Sequence, residues 1–84
     1  MEKITNLHKN MQKYETTNYN LAVYLFAKGI DYTGIKGEGI KTFTFKECPE
    51  RVEASHQYTS RKNCVADFWD LTTAQTILKN EIYN

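Results

Sequence analysis

Residues 18–29, Asn-Tyr-Asn-Leu-Ala-Val-Tyr-Leu-Phe-Ala-Lys-Gly, constrain this chain more than any other stretch. Thr17 and Asn18 carry side-chain oxygens able to accept the orphan N–H groups of a first helical turn. Leu21, Ala22, Leu25 and Phe26 then fall at one- and four-residue offsets along one helical face. Tyr24 sits to the side of that stripe, while Val23 and Ala27 carry the apolar surface around most of the circumference. Lys28 complements the carbonyl end of the helix dipole, and Gly29 supplies the left-handed residue that commonly ends a helix. A helix so apolar belongs at the centre of a fold. Burying Leu25 and Phe26 contributes roughly 1.5–3 kcal/mol each, and the rest of the chain must supply the surfaces that do it.

Those surfaces follow in order. Residues 30–35 and 40–46 read as a β-hairpin turning at Lys36-Gly37-Glu38-Gly39, where glycines supply the positive φ of a tight reversal. In the second strand Phe43 and Phe45 share one face; Thr42, Thr44 and Lys46 share the other, expected to be wet. Gly34 marks a bulge or bend in the first strand. Glu47-Cys48-Pro49-Glu50 opens a helix over 49–58, with proline in its first turn, acids at its positive end, and Val52, Ala54 and Tyr58 as apolar members. A polar connection over 59–63 carries Arg61 and Lys62, and Cys64-Val65-Ala66 is too short for more than an isolated strand or tie-down. Asp67 then caps a helix over 68–82. Phe68, Leu71, Leu78 and Ile82 form its expected inward stripe, interrupted by Gln75 and flanked by Trp69 and Ile77.

Residues 1–17 are polar and weakly patterned. Ile4, Leu7 and Met11 recur at helical spacing, so this arm reads as frayed or as a short helix. Residues 18–84 form the domain. The expected fold class is α+β, a single small domain in the order α-β-β-α-α, with the hairpin packed on helices. The hairpin's free strand edges need cover, and edge pairing in a homodimer would give it.

These blocks resemble a family of small domains of unknown function found in Gram-positive bacteria, their phages and related mobile elements. The resemblance rests on Leu21-Ala22-Val23-Tyr24-Leu25-Phe26-Ala27-Lys28-Gly29, the Phe43-Thr44-Phe45 strand, Tyr58, and the closing Leu78-Lys79-x-x-Ile82, and covers residues 18–82. It implies a phage or prophage context and supports the element order. It implies no activity. The polar arm over 1–17 departs from the family's shorter members and is where a function particular to this chain could reside.

Length and charge narrow the function. A chain of 84 residues holds one core, and at that size dimerisation is a common aid to stability. Lys and Arg total 11 against 10 Asp and Glu, a net charge of +1. That is too balanced for a strongly basic nucleic-acid binder and for an acidic DNA mimic. No basic-then-apolar segment follows Met1 and no apolar run is long enough to cross a membrane, so a cytosolic location is expected. There the two cysteines, Cys48 and Cys64, are expected as free thiols.

Chemistry-bearing constellations are weak. His8, Cys48, His56 and Cys64 are zinc-ligand types, but they are spread without a close pair, so neither metal nor cofactor is expected. Cys64 and His56 lack an orienting acid or an oxyanion motif, and the 36–39 turn lacks phosphate-loop spacing. Glu47, Glu50 and Glu53, like Asp67 and Asp70, are explained by helix dipoles. What remains is a cationic and aromatic set: Lys36, Lys41, Lys46, Arg51, Arg61 and Lys62, with Tyr19, Tyr24, Tyr32 or Trp69 available for stacking. The leading expectation is a non-catalytic, phage-type interaction protein that binds and modulates a host protein, as a defence or regulatory factor. An oligomer sequestering a nucleotide or other small phosphorylated ligand is the alternative, provided those cations converge. A nucleic-acid binder, whose affinity would fall steeply with salt, comes third.

Overall fold

The computed structural model describes residues 12–83, and the candidate helix around Ile4, Leu7 and Met11 lies outside them. Within that range the chain forms strand β1 (Lys13–Thr16), helix α1 (Tyr19–Ala27), strands β2 (Tyr32–Lys36) and β3 (Thr42–Lys46), and helices α2 (Pro49–Ser60) and α3 (Phe68–Tyr83). The α+β class and the α-β-β-α-α order are both present, preceded by β1. The sheet is antiparallel in the order β1-β3-β2. Thus β3 is central: the chain's own β1 covers one of the hairpin's two edges, and β2 remains an edge strand.

β1 is the element that sequence periodicity did not supply. Its four residues, Lys-Tyr-Glu-Thr, alternate correctly but hold a single large apolar group. Pairing with β3 sets its register, with Tyr14 opposite Phe45 and Thr16 opposite Phe43, so Tyr14 joins the edge of the core.

α1 forms as its sequence dictates. Asn18 Oδ1 accepts the Leu21 N–H at 3.1 Å. At the other end Gly29 has φ 88°, its N–H donates to Phe26 O, and the Ile30 N–H donates to Leu25 O. This paired closure satisfies the last carbonyls and packs buried Ile30 near buried Leu25. Residues Leu21 through Leu25 are all buried. Two details depart from the expected stripe: Phe26 is only half-buried, against Tyr32, whereas Tyr24 is in the core because α2 packs on that side.

The hairpin carries the expected irregularity, a register shift between Tyr32 and Gly34. Its outer face is not uniformly wet. Thr44 is buried because β3 is flanked on both sides, and its hydroxyl meets Thr33 Oγ1 at 2.7 Å and donates to Gly34 O at 2.9 Å. Phe43 and Phe45 point the other way into the core with Leu25, Ala54, Ala74 and Leu78.

In the last helix Leu71, Leu78 and Ile82 of the expected inward stripe pack on the core, and Phe68 alone of the four does not. Asp67 caps it as read, its Oδ1 accepting from the Trp69 and Asp70 N–H groups. Phe68, however, is 70% exposed, and Ala74 takes the buried place beside Leu78. The cause is the place of Phe68 around the helix: Ala66 and Leu71 on either side pack on the core, whereas Phe68 falls within about 20° of the exposed Gln75 about the axis, off the arc of Ala74 and Leu78. Gln75 is exposed too; its backbone carbonyl, not its side chain, makes the internal bond, accepting from Tyr19 Oη. Val52, expected as an apolar member of α2, is half exposed, leaving Ala54 as that helix's buried residue.

Candidate functional site

The cationic residues singled out in the sequence do not converge. Lys36 pairs with Glu15 of β1 at 2.6 Å on the exposed sheet face, and Lys41 Nζ closes the hairpin turn on Gly37 O. Lys46 lies at the opposite end of β3, directly across from Lys13. Arg51 is occupied. Its guanidinium donates twice to the Glu47 carboxylate at 2.6 Å, once to Ser55 Oγ, and stacks 3.8 Å from the centre of the Tyr14 ring. Those hydrogen bonds hold the Glu47 carboxyl below its usual range and raise Arg51 further. This is a clip that ties the start of α2 to β1, with three of the five guanidinium N–H groups and the ring-facing side of the cation engaged inside the fold. Arg61 stands ten residues farther along, about 15 Å by helical rise.

The candidate tyrosines are also engaged. Tyr19 packs on Phe43 and donates to Gln75 O; Tyr32 packs between Phe26 and Phe45 and donates to Glu81 Oε1. Burial raises both phenols, and for Tyr32 the Glu81 hydrogen bond adds to it. These side chains fasten α3 to the body and are not stacking platforms.

Arg61, Lys62 and Trp69, by contrast, fall in one segment running from the end of α2 into the first turn of α3, exposed throughout but for Ala66, which packs on the core. α2 stops at Arg61, which takes the left-handed conformation with φ 62°, followed by Asn63 at φ 56°. Asparagine tolerates this region, whereas Arg61 carries the steric cost that glycine would avoid. After them Cys64 is an exposed free thiol, and Val65, Phe68 and Trp69 are 67%, 70% and 72% exposed. Phe68 and Trp69 rest edge to face with centroids 5.5 Å apart. Tyr58, Thr59, Arg61 and Cys64 line an open depression beside them.

α1 holds this turn in place. Lys28 Nζ donates to Val65 O at 2.9 Å, and the Tyr24 hydroxyl donates to Gln57 Oε1 at 3.0 Å while its ring packs on Tyr58. Burial raises the Tyr24 phenol, and the neighbouring Cys64 thiol raises it further. Lys28 therefore does more than complement a dipole: it fixes the backbone of the turn. Val65, Phe68 and the anchoring Lys28 were missed as site residues. The available signal was three large apolar residues within eight positions of two adjacent cations.

His56 is exposed on the outer side of α2 and Cys48 is half-buried at its start. Among the described residues no three His, Cys, Asp or Glu side chains group closely enough to hold a metal ion.

With this geometry in view, comparison with known families is informative. The model of a domain of unknown function, DUF5659, matches residues 11–84, from β1 to the end of α3. The chain belongs to the DUF5659 family. No curated protein and no solved structure matches it. The DUF5659 match spans both the internally fastened part of the fold and the exposed turn. Among the described residues no helix is long and apolar enough to cross a membrane.

Proposed function

We propose that this DUF5659 domain is a non-catalytic interaction protein that binds another protein through the turn joining α2 to α3. The observation that carries this reading is the turn itself. Val65, Phe68 and Trp69 stand exposed beside Arg61 and Lys62, while the other large aromatics of the described core are spent internally. Aromatic and arginine side chains dominate protein–protein contacts, because they combine large apolar area with directed hydrogen bonding. Arg61 held in left-handed conformation supports the reading, since strain of about 1 kcal/mol is retained at a site that needs its side chain. Lys28 and Tyr24 pre-organise the turn, which lowers the ordering cost of binding. The phage or mobile-element context implied by the resemblance makes the partner a cytosolic host protein, and the domain a defence or regulatory factor acting on it.

A small phosphorylated ligand is the second reading, and the depression lined by Tyr58, Thr59, Arg61 and Cys64 favours it. It is the weaker one, because Arg61 alone among the candidate cations lines that depression and the remaining cations are dispersed or paired. The same dispersal weighs against nucleic acid, which needs a continuous basic track.

Native mass spectrometry after incubation with host lysate separates these readings. The expected result is one host polypeptide retained in stoichiometric amount by the parent protein and lost from a Val65→Ser/Phe68→Ser variant of unchanged melting temperature. Retention by that variant overturns the turn as the contact. A phosphorylated molecule released from an oligomer replaces the reading with sequestration.

A further inference from the structure

We infer that a second copy of this chain docks along the outward face of α3, in an antiparallel contact centred on Thr76. The inference goes beyond the partner-binding turn: it shares Trp69 with it and otherwise uses residues farther along the helix. Opposite the buried Ala74 and Leu78, α3 presents Trp69, Thr73, Thr76, Asn80 and Tyr83, all exposed and all uncharged. The spacing is four, three, four, three, the repeat that keeps one seam of a helix facing another helix. The solvent face of a helix is ordinarily charged or polar throughout; this line instead carries a large aromatic residue at each end of its three uncharged polar ones. Here the nearest charges, Asp70, Lys79 and Glu81, stand to either side of it.

The pattern also identifies the occupant. Trp69 and Tyr83 each lie seven residues from Thr76, about 10 Å along the axis in opposite directions. A two-fold axis through Thr76 therefore sets Trp69 of one copy against Tyr83 of the other at both ends. The small threonines between them let the helices approach at the centre. Such a contact is isologous, the same patch meeting itself, which is how most homodimers form. Its area is adequate. Trp69 is 72% and Tyr83 82% exposed, and an aromatic side chain can bury roughly 150–250 Å². Four of them bury roughly 500–800 Å², and the threonines bring the total to about 1,000 Å², the lower limit for a specific interface. The expected dimer is accordingly of modest affinity, with a dissociation constant on the order of micromolar. This contact does not use the sheet, whose edge strands are β1 and β2.

The only tryptophan in the chain lies in this seam, so its fluorescence reports the contact directly. The experiment is sedimentation equilibrium of the full chain over a range of concentrations, with Trp69 emission followed on dilution. The parent protein is expected to dimerise reversibly, with emission shifting to the red as it dissociates. Thr76→Glu and Thr76→Lys, both at an exposed helical position, are each expected to weaken the dimer roughly 100-fold by setting like charges across the axis. An equimolar mixture of the two is expected to restore association, which only a contact centred on this residue can do. The inference is overturned if the parent protein stays monomeric, or if Thr76→Glu leaves a dimer intact. A monomer with blue-shifted Trp69 emission also overturns it, and assigns the cover to residues 1–11 of the same chain. Failure here leaves the turn proposal standing, since Val65→Ser/Phe68→Ser tests residues off the seam.

Discussion

α1 and α3 face each other across the core, yet they use their residues in opposite ways. α1 buries five of its nine residues, ends in a closed glycine cap, and leaves no large apolar side chain fully exposed. α3 is the longest helix described and buries only Ala74 and Leu78, while Phe68, Trp69, Ile77 and Tyr83 face outward. The arginines of α2 repeat the contrast. Arg51, near α1 and the sheet, is clipped to Glu47, Ser55 and Tyr14; Arg61, near the start of α3, has no acidic partner among the described residues. One side of the molecule has satisfied its own side chains. The other has kept them available, and interaction surfaces are drawn from such unspent groups.

Substitution at the centre of α1 gives the largest expected effect. Leu25 is fully buried between the sheet and the other helices, so Leu25→Asp places an unpaired carboxylate there. The expected cost exceeds the roughly 5–10 kcal/mol that holds a domain of this size. Circular dichroism should show loss of cooperative melting. A variant that still melts cooperatively would break the view of α1 as the closed centre.

A paired experiment on α3 sharpens the contrast within one helix. Leu78→Ala is expected to cost about 2–5 kcal/mol, because Leu78 is fully buried and its removal leaves a cavity. Phe68→Ala, ten residues earlier, removes a larger side chain and is expected to change unfolding free energy by less than about 0.5 kcal/mol. Urea denaturation of both, referred to the parent protein, gives the comparison. Similar losses would mean that the first turn of α3 is structural after all.

These same places show what was legible in the sequence. The cap at Asn18, the closure at Gly29, the bulge near Gly34 and the cap at Asp67 were all readable, because each is decided by residues within a few positions of one another. β1 was not, since a four-residue strand with one tyrosine has no periodicity of its own and takes its register from β3. The spacing to Leu71 places Phe68 inward; which arc of α3 meets the core is set by packing on other elements, and that arc, centred on Ala74 and Leu78, leaves Phe68 out. The cationic set failed for the same reason. Nothing local to Arg51 announces that Tyr14, on another element, will cover its guanidinium. Contacts between distant segments decide which polar groups are spent.

The Arg51 clip itself is open to measurement. Arg51→Ala removes two hydrogen bonds to a carboxylate and the stack on Tyr14, an expected loss of about 2 kcal/mol. The pH dependence follows from Glu47, whose pKa in the fold is depressed chiefly by the Arg51 hydrogen bonds. A depressed carboxylate contributes its stability fully above its ordinary value of 4.5 and loses it as pH falls through the lowered one. The parent protein should therefore lose stability on acidification in that window, and Arg51→Ala should lose less. Parallel acid slopes for the two would show that Glu47 and Arg51 are not coupled.

The last expected effect has the opposite sign. Arg61 occupies a left-handed position at the end of α2, where glycine carries no steric cost. Arg61→Gly is expected to stabilise the fold by about 1 kcal/mol, read as a rise in the thermal midpoint. If the turn is the contact surface, the same substitution weakens partner capture, because it removes an uncommitted cation beside Val65 and Phe68. Stability and binding would then move in opposite directions at one residue, the signature of a position held for function at the expense of the fold. Arg51→Lys provides the control within the same helix. It should lower stability by disrupting a bidentate, stacked site and leave capture unchanged. If Arg61→Gly stabilises the domain and capture persists, the strain at Arg61 belongs to the turn alone, and the contrast between the closed and open sides loses its functional meaning.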